Sequence, residues 1–169
     1  MTSTTKWPVI LAAMLLFWGC YSFKDVSIPP DIKTVRINYI DNKARYVNPQ
    51  LSPQLTDKLR QKVMSQTRLT QIQGDDADYE ISATITDYSV TTSGISSNRQ
   101  TASNRLNVTV AIMFHNRKDE SKSYKDPQSI TRNFDFDANL SLQAAEAQLS
   151  DNIIRNLADE IFNRIFSNW

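Results

Sequence analysis

Val35, Ile37 and Tyr39 alternate with Arg36, Asn38 and Ile40, the two-residue period of a half-buried strand. Downstream, Ser52-Pro53 puts a cap residue before a proline suited to the first helical position, and Leu55, Leu59 and Val63 then recur every four residues. That rhythm predicts a short amphipathic helix ending near Thr67. Leu69 to Ile72 reads as a brief second strand running into a Gly74-Asp75-Asp76 turn. From Tyr79 to Val90 the apolar parity changes, because Ile81, Ala83 and Ile85 share one face while Tyr88 and Val90 follow the other parity. A β-bulge near Asp87 accounts for such a switch. Residues 91–104 are polar and include Gly94, after which Leu106, Val108, Val110, Ile112 and Phe114 alternate cleanly. The two strands therefore form a long hairpin with a loose tip. Arg117 to Lys125 and the Asp126-Pro127 step make a turn ahead of a strand through Ile130, Arg132, Phe134 and Phe136.

Ser141 opens the last element, in which Leu142, Ala145, Leu149, Ile153, Leu157, Ile161 and Ile165 keep a three-to-four residue rhythm. This predicts a helix of about 25 residues, roughly 37 Å long at 1.5 Å per residue. Ile154, Phe162 and Phe166 widen its apolar stripe beyond what one sheet face needs, and deep core burial is the preferred reading over a partner contact. The order β-α-β-β-β-β-α, with strands clustered between two helices, predicts an α+β fold. Its architecture is a two-layer sandwich, a mixed or antiparallel β-sheet packed against two helices.

The N-terminus departs from these periods. Lys6 precedes Trp7 to Trp18, a run without charge, which has the form of an n-region and an h-region. The run stops after about twelve residues, short of the roughly 20 needed to cross the hydrocarbon core. It ends at Leu16-Phe17-Trp18-Gly19-Cys20, which resembles a lipobox, the cleavage site of lipoprotein signal peptidase. The only cysteine of the chain would then carry a diacylglyceryl group on sulfur and a further acyl chain, of the palmitate type, on its freed amine. Two or more chains give stable membrane anchoring where one gives marginal binding. Residues 1–19 are thus expected to be a signal peptide, 20–31 an acylated terminus and tether with Pro29-Pro30, and 32–169 one domain.

Loss of Lys6 with the signal peptide leaves 18 basic side chains against 18 acidic ones. A neutral mature chain lacks the basic face that nucleic-acid binding requires. Catalysis finds little support either. The single histidine, His115, sits at the exposed end of a strand with no Cys or His partner, so it forms neither a triad nor a metal site. Asp75, Asp76 and Asp78, and likewise Asp135 and Asp137, fall at turns or strand ends, where aspartate solvates and caps backbone. There is no Gly-rich phosphate loop and no nucleophile elbow. The expectation is a non-enzymatic protein with no cofactor and no metal.

Several segments in order resemble one family: Cys20-Tyr21-Ser22-Phe23, Ser27 to Val35, Val47-Asn48-Pro49-Gln50-Leu51-Ser52, Asn104 to Val110, Phe114 to Asp119, and Glu160 to Trp169. Together they are similar to LptE, the lipopolysaccharide-assembly lipoprotein, in its Bacteroidota-type branch. The resemblance implies an α+β lipoprotein seated in the LptD β-barrel of the outer membrane, plugging its lumen, assisting its assembly and helping deliver lipopolysaccharide. It also implies basic residues, in loops at one end of the sheet, that touch lipid A phosphates. No motif fixes their positions. Arg99 and Arg105 flank the hairpin tip, and Arg117, Lys118 and Lys122 occupy the next turn. The arginine pair is preferred for its bidentate grip on phosphate. Tyr21 is not the aspartate associated with inner-membrane retention, and Tyr21 to Val26 lacks an acidic run, so acyl chains in the inner leaflet of the outer membrane are expected, with the domain on the periplasmic face. A second reading makes the chain a periplasm-facing structural or ligand-binding component of a different envelope assembly machine.

Overall fold

The computed structural model describes residues 28–93 and 103–167. Its elements are β1 (Thr34–Ile37), β2 (Asp41–Asn42), α1 (Leu51–Gln66), β3 (Thr70–Gln71), β4 (Tyr79–Ser93), β5 (Ser103–Asn116), β6 (Gln128–Asp137) and α2 (Leu142–Phe166). One sheet has the order β3-β1-β4-β5-β6, and β2 pairs with β4 off that path. β1 runs parallel to both β3 and β4, while β4, β5 and β6 are antiparallel neighbours. The mixed sheet and two helices are the α+β sandwich that the hydrophobic pattern predicts, with β2 as an addition.

The register shift of the β4–β5 ladder falls between Ile85 and Asp87, where the parity of the sequence changes. Thr86 is the extra residue. Before it, Tyr79, Ile81, Ala83 and Ile85 are buried; after it, Tyr88 is buried while Asp87 and Ser89 belong to the opposite face. The bulge thus keeps carboxylate and hydroxyl side chains out of the core while the strand continues.

Helix α2 covers 25 residues, and Ser141 caps it by accepting from the Ala144 N–H. Ile153, Leu157, Ile161 and Ile165 are buried, and so are Ile154, Phe162 and Phe166. The wide stripe serves two neighbours, the sheet and α1, against which α2 packs. Phe162 lies beneath the Lys62 ammonium of α1, 5.1 Å from ring centroid to nitrogen. Lys62 in turn pairs with Asp159 at 2.8 Å.

Two local expectations need correction. Helix α1 begins at Leu51 with Gln50 at its cap position and no side-chain cap bond, so Ser52 lies inside the helix and Pro53 in its first turn. Proline is tolerated there because a first-turn N–H has no intrahelical acceptor to lose. Tyr39 does not continue strand β1. It is 54% exposed, and Ile40 is fully buried in its place, because the chain turns after Ile37 and the Ile40 N–H donates to the Thr56 hydroxyl of α1.

The two ends of the sheet differ. At one end Tyr79 meets Phe114 edge-on at 4.9 Å and Phe166 at 6.5 Å, and Tyr124 donates to the Arg164 carbonyl at 2.7 Å. The described chain enters at this end, where the Arg68 guanidinium donates to the Ile28 carbonyl. The hairpin leads to the opposite end, where Ser93 pairs with Ser103. At 3.4 Å per residue the 14 residues of β5 separate the two ends by roughly 45 Å.

Candidate functional site

The basic residues singled out in the sequence do not form one cluster. Arg105 lies near the hairpin end, opposite Thr91 on β4 and Asp135 on β6. Its Nε donates to Asp135 Oδ1 at 2.7 Å and its Nη2 to Oδ2 at 3.1 Å. This bond holds the Asp135 carboxyl below its usual range and the Arg105 guanidinium above its own. Arg117 and Lys118 follow β5 at the other end, about 40 Å from Arg105 along the strand. There Arg117 approaches Glu80 at 3.9 Å and Lys118 approaches Asp78 at 3.5 Å. Lys122 closes a single 3-10 turn, Glu120–Lys122. Cys20 and Arg99 lie outside the described residues.

Asp78 acts within the fold. Its Oδ2 accepts from the Lys33 N–H at 2.8 Å and from the Thr34 N–H and hydroxyl at 3.0 Å each, and its own N–H donates to Thr34 Oγ1 at 2.9 Å. Burial pushes its carboxyl upward, but the two backbone donors, the hydroxyl and Lys118 outweigh that effect and leave it below the usual range. The carboxylate fastens the start of β1 to the turn before β4. His115, on β5, faces Glu120 at 3.5 Å and the Ser123 hydroxyl at 3.4 Å through the same ring nitrogen, so no relay from a base to a nucleophile exists there. No group of three or more His, Cys, Asp or Glu side chains among the described residues could hold a metal ion.

A cleft missed by sequence reasoning lies on the helix side of the sheet. Its volume is about 340 Å³, between the loop entering α1, the first three turns of α2 and Tyr88 of β4. Glu146 lines it, with Oε1 accepting from the Tyr88 hydroxyl at 2.8 Å and Oε2 from the Tyr46 hydroxyl at 3.3 Å. The two phenol rings stack with centroids 5.5 Å apart. Burial, then the hydrogen bond and charge of Glu146, push the Tyr88 phenol well above its usual range. Tyr46 is raised too, by burial first and then by Glu146. These residues stand 42 and 58 positions apart in the chain. No local motif announces them, and only the parity switch at Thr86 hints that Tyr88 turns inward.

An α+β sandwich of this layout is the class of fold seen in bacterial envelope lipoproteins. It is similar to a minor lipoprotein from Acinetobacter baumannii, at 15% identity and a TM-score of 0.52, over 80% of this chain and 94% of that one. It is similar also to the uncharacterized lipoprotein B from Nitrosomonas europaea, at 17% identity and a TM-score of 0.52, over 88% and 91%. At such identities the likeness shows the fold alone. No curated protein sequence matches the chain. The family described as LptE, lipopolysaccharide-assembly, matches residues 32–165, and the chain belongs to that family. No helix among the described residues is long and apolar enough to cross a membrane.

Proposed function

We propose that this protein is a non-enzymatic lipoprotein of the outer membrane that partners the LptD β-barrel, plugging its lumen and assisting its assembly as lipopolysaccharide passes to the cell surface. Membership of the lipopolysaccharide-assembly family over residues 32–165 carries the reading, and the dimensions of the domain support it. A sheet roughly 45 Å long exceeds the apolar band of an outer-membrane barrel, about 25 Å tall. The domain is therefore long enough to span such a lumen from end to end. Ile28 lies eight residue steps after Cys20, a leash of at most about 28 Å. An acylated Cys20 would hold the aromatic end of the sheet near the inner leaflet of the outer membrane, on the periplasmic face, and leave the β4–β5 hairpin pointing away.

Contact with lipid A phosphates belongs to the same reading, with Arg99 and Arg105 near the hairpin tip as the preferred groups. Arg117 and Lys118 are the alternative at the tether end. Arg105, about 40 Å along the strand from Arg117 and Lys118, is too far from them to serve the same headgroup.

Co-purification tests the partnership. Tagged full-length protein solubilised from outer membranes is expected to bring down a large β-barrel, and recovery without any barrel overturns the assignment. A Cys20→Ala variant is expected to leave the outer-membrane fraction; normal fractionation of that variant refutes the anchor.

A further inference from the structure

The cleft around Glu146 has a chemistry that the barrel partnership does not explain. Glu146 is the only charged residue of its lining. A carboxylate offers about four acceptor directions, and the phenols of Tyr46 and Tyr88 take one on each oxygen. Each oxygen therefore keeps a free lone pair in a cleft that opens to solvent. The two stacked rings add the negative potential of their π faces.

The two helices that begin at the cleft ordinarily favour an anion through their unbonded N–H groups. Here those donors are largely consumed. The Leu51 N–H is bonded to the Asn48 carbonyl and the Gln54 N–H to the Gln50 carbonyl, and Pro53 has none. On α2, Ser141 takes the Ala144 N–H with its hydroxyl and the Ala145 N–H with its carbonyl. With no basic side chain in the lining, an anion would meet a carboxylate and only neutral donors. The cleft suits the opposite charge.

We propose that this cleft binds an organic cation, an ammonium or guanidinium group, with Glu146 as its counter-ion and the Tyr46–Tyr88 pair as its π-rich wall. A basic side chain of a protein and an amino sugar both carry such a group in the cell envelope, and the probes separate them. Full-length protein labelled with 15N in detergent micelles is titrated with argininamide, with glucosamine and with N-acetylglucosamine, whose amide removes the charge. Saturable shifts confined to the amides of Gln50, Leu51, Gln143 and Ala147 are expected with at least one of the two cations and not with the acetylated sugar. Response to argininamide alone points to a protein side chain, and response to glucosamine alone to an amino sugar.

Glu146→Gln keeps an oxygen that accepts from Tyr88, so its spectrum should retain the native pattern, while cation affinity falls about tenfold, the change produced by losing one charge-assisted hydrogen bond. Tyr46→Phe, which keeps the ring and frees Oε2, should bind at least as well as the parent. Absence of shifts with both cations, equal shifts with the acetylated sugar, or an unchanged affinity in Glu146→Gln overturns the proposal. None of these outcomes depends on recovery of a barrel, so the partnership stands or falls separately.

Discussion

Arg105 and Asp135 grip each other across the β5–β6 ladder through two parallel hydrogen bonds of 2.7 and 3.1 Å. The arginine closest to the described end of the hairpin therefore already holds a carboxylate in the geometry it would use for a phosphate. If Arg105 contacts lipopolysaccharide, the phosphate must compete with Asp135. Asp135→Asn is then expected to strengthen lipopolysaccharide capture by the full chain and Arg105→Ala to weaken it, with little change in Tm for either exposed position. Capture assays with purified lipopolysaccharide check both, and an Asp135→Asn variant that binds no better removes Arg105 from the contact.

Asp78 sets a second expectation. Asp78→Ala removes acceptors for two backbone N–H groups and one hydroxyl at the start of β1 and should cost about 2 kcal/mol in urea unfolding at neutral pH. The folded carboxyl lies below its ordinary range, so its contribution is present above the unfolded pKa of about 3.9 and is lost as pH falls through the lower folded value. The stability gap between parent and variant should close at acid pH. A gap that persists there would mean the loss is one of packing rather than charge.

Deletion of Thr86 tests the bulge. Without the extra residue, Asp87 would follow Ile85 directly, and plain alternation would keep Tyr88 inward and Asp87 and Ser89 outward in their present pairing with β5. The deletion should therefore be tolerated, changing stability by less than about 1.5 kcal/mol. Thr86→Ala keeps the bulge and should be nearly neutral. Urea midpoints check both, and a deletion that costs about 3 kcal/mol or more would show that the bend supplied by the bulge is itself needed by the fold.

Four phenols should lag in an alkaline spectrophotometric titration. Tyr46, Tyr79, Tyr88 and Tyr124 are all raised, each by burial first. Their contribution to stability is full below the unfolded value of about 10 and disappears as pH rises through the higher folded values. The folded protein should therefore ionise these four only late or on unfolding, with absorbance and circular dichroism changing together. Tyr88→Phe should reduce the late-ionising absorbance by one phenol.

Much of the fold is legible in the sequence because burial is periodic. The rhythm of α2 and its Ser141 cap are visible in the chain, and the bulge at Thr86 is visible as a change of parity between Ile85 and Tyr88. β2 is not legible, since Asp41 and Asn42 are polar and become a strand only by lying parallel to β4. Ser52 misleads because serine before proline suits a cap, whereas here the helix starts a residue earlier on Leu51, which is buried. The cleft escapes sequence reasoning for a different reason. Tyr46, Tyr88 and Glu146 come from three separate segments, and nothing around any one of them specifies the other two.

Arg132 has a consequence at the free edge of the sheet. On β6, which among the described residues has a neighbour on one side only, it stands opposite Val108 in the helix-facing row and reaches the Glu160 carboxylate of α2. A further strand laid along β6 would have to accommodate that charge beside its own core row, a recognised deterrent to sheet extension. Lipid anchoring would crowd copies of the protein into a plane, where diffusion brings edges together far more often than in bulk solution. Under that crowding, a charged side chain on the helix-facing row of each edge would favour separate domains over a continuous sheet.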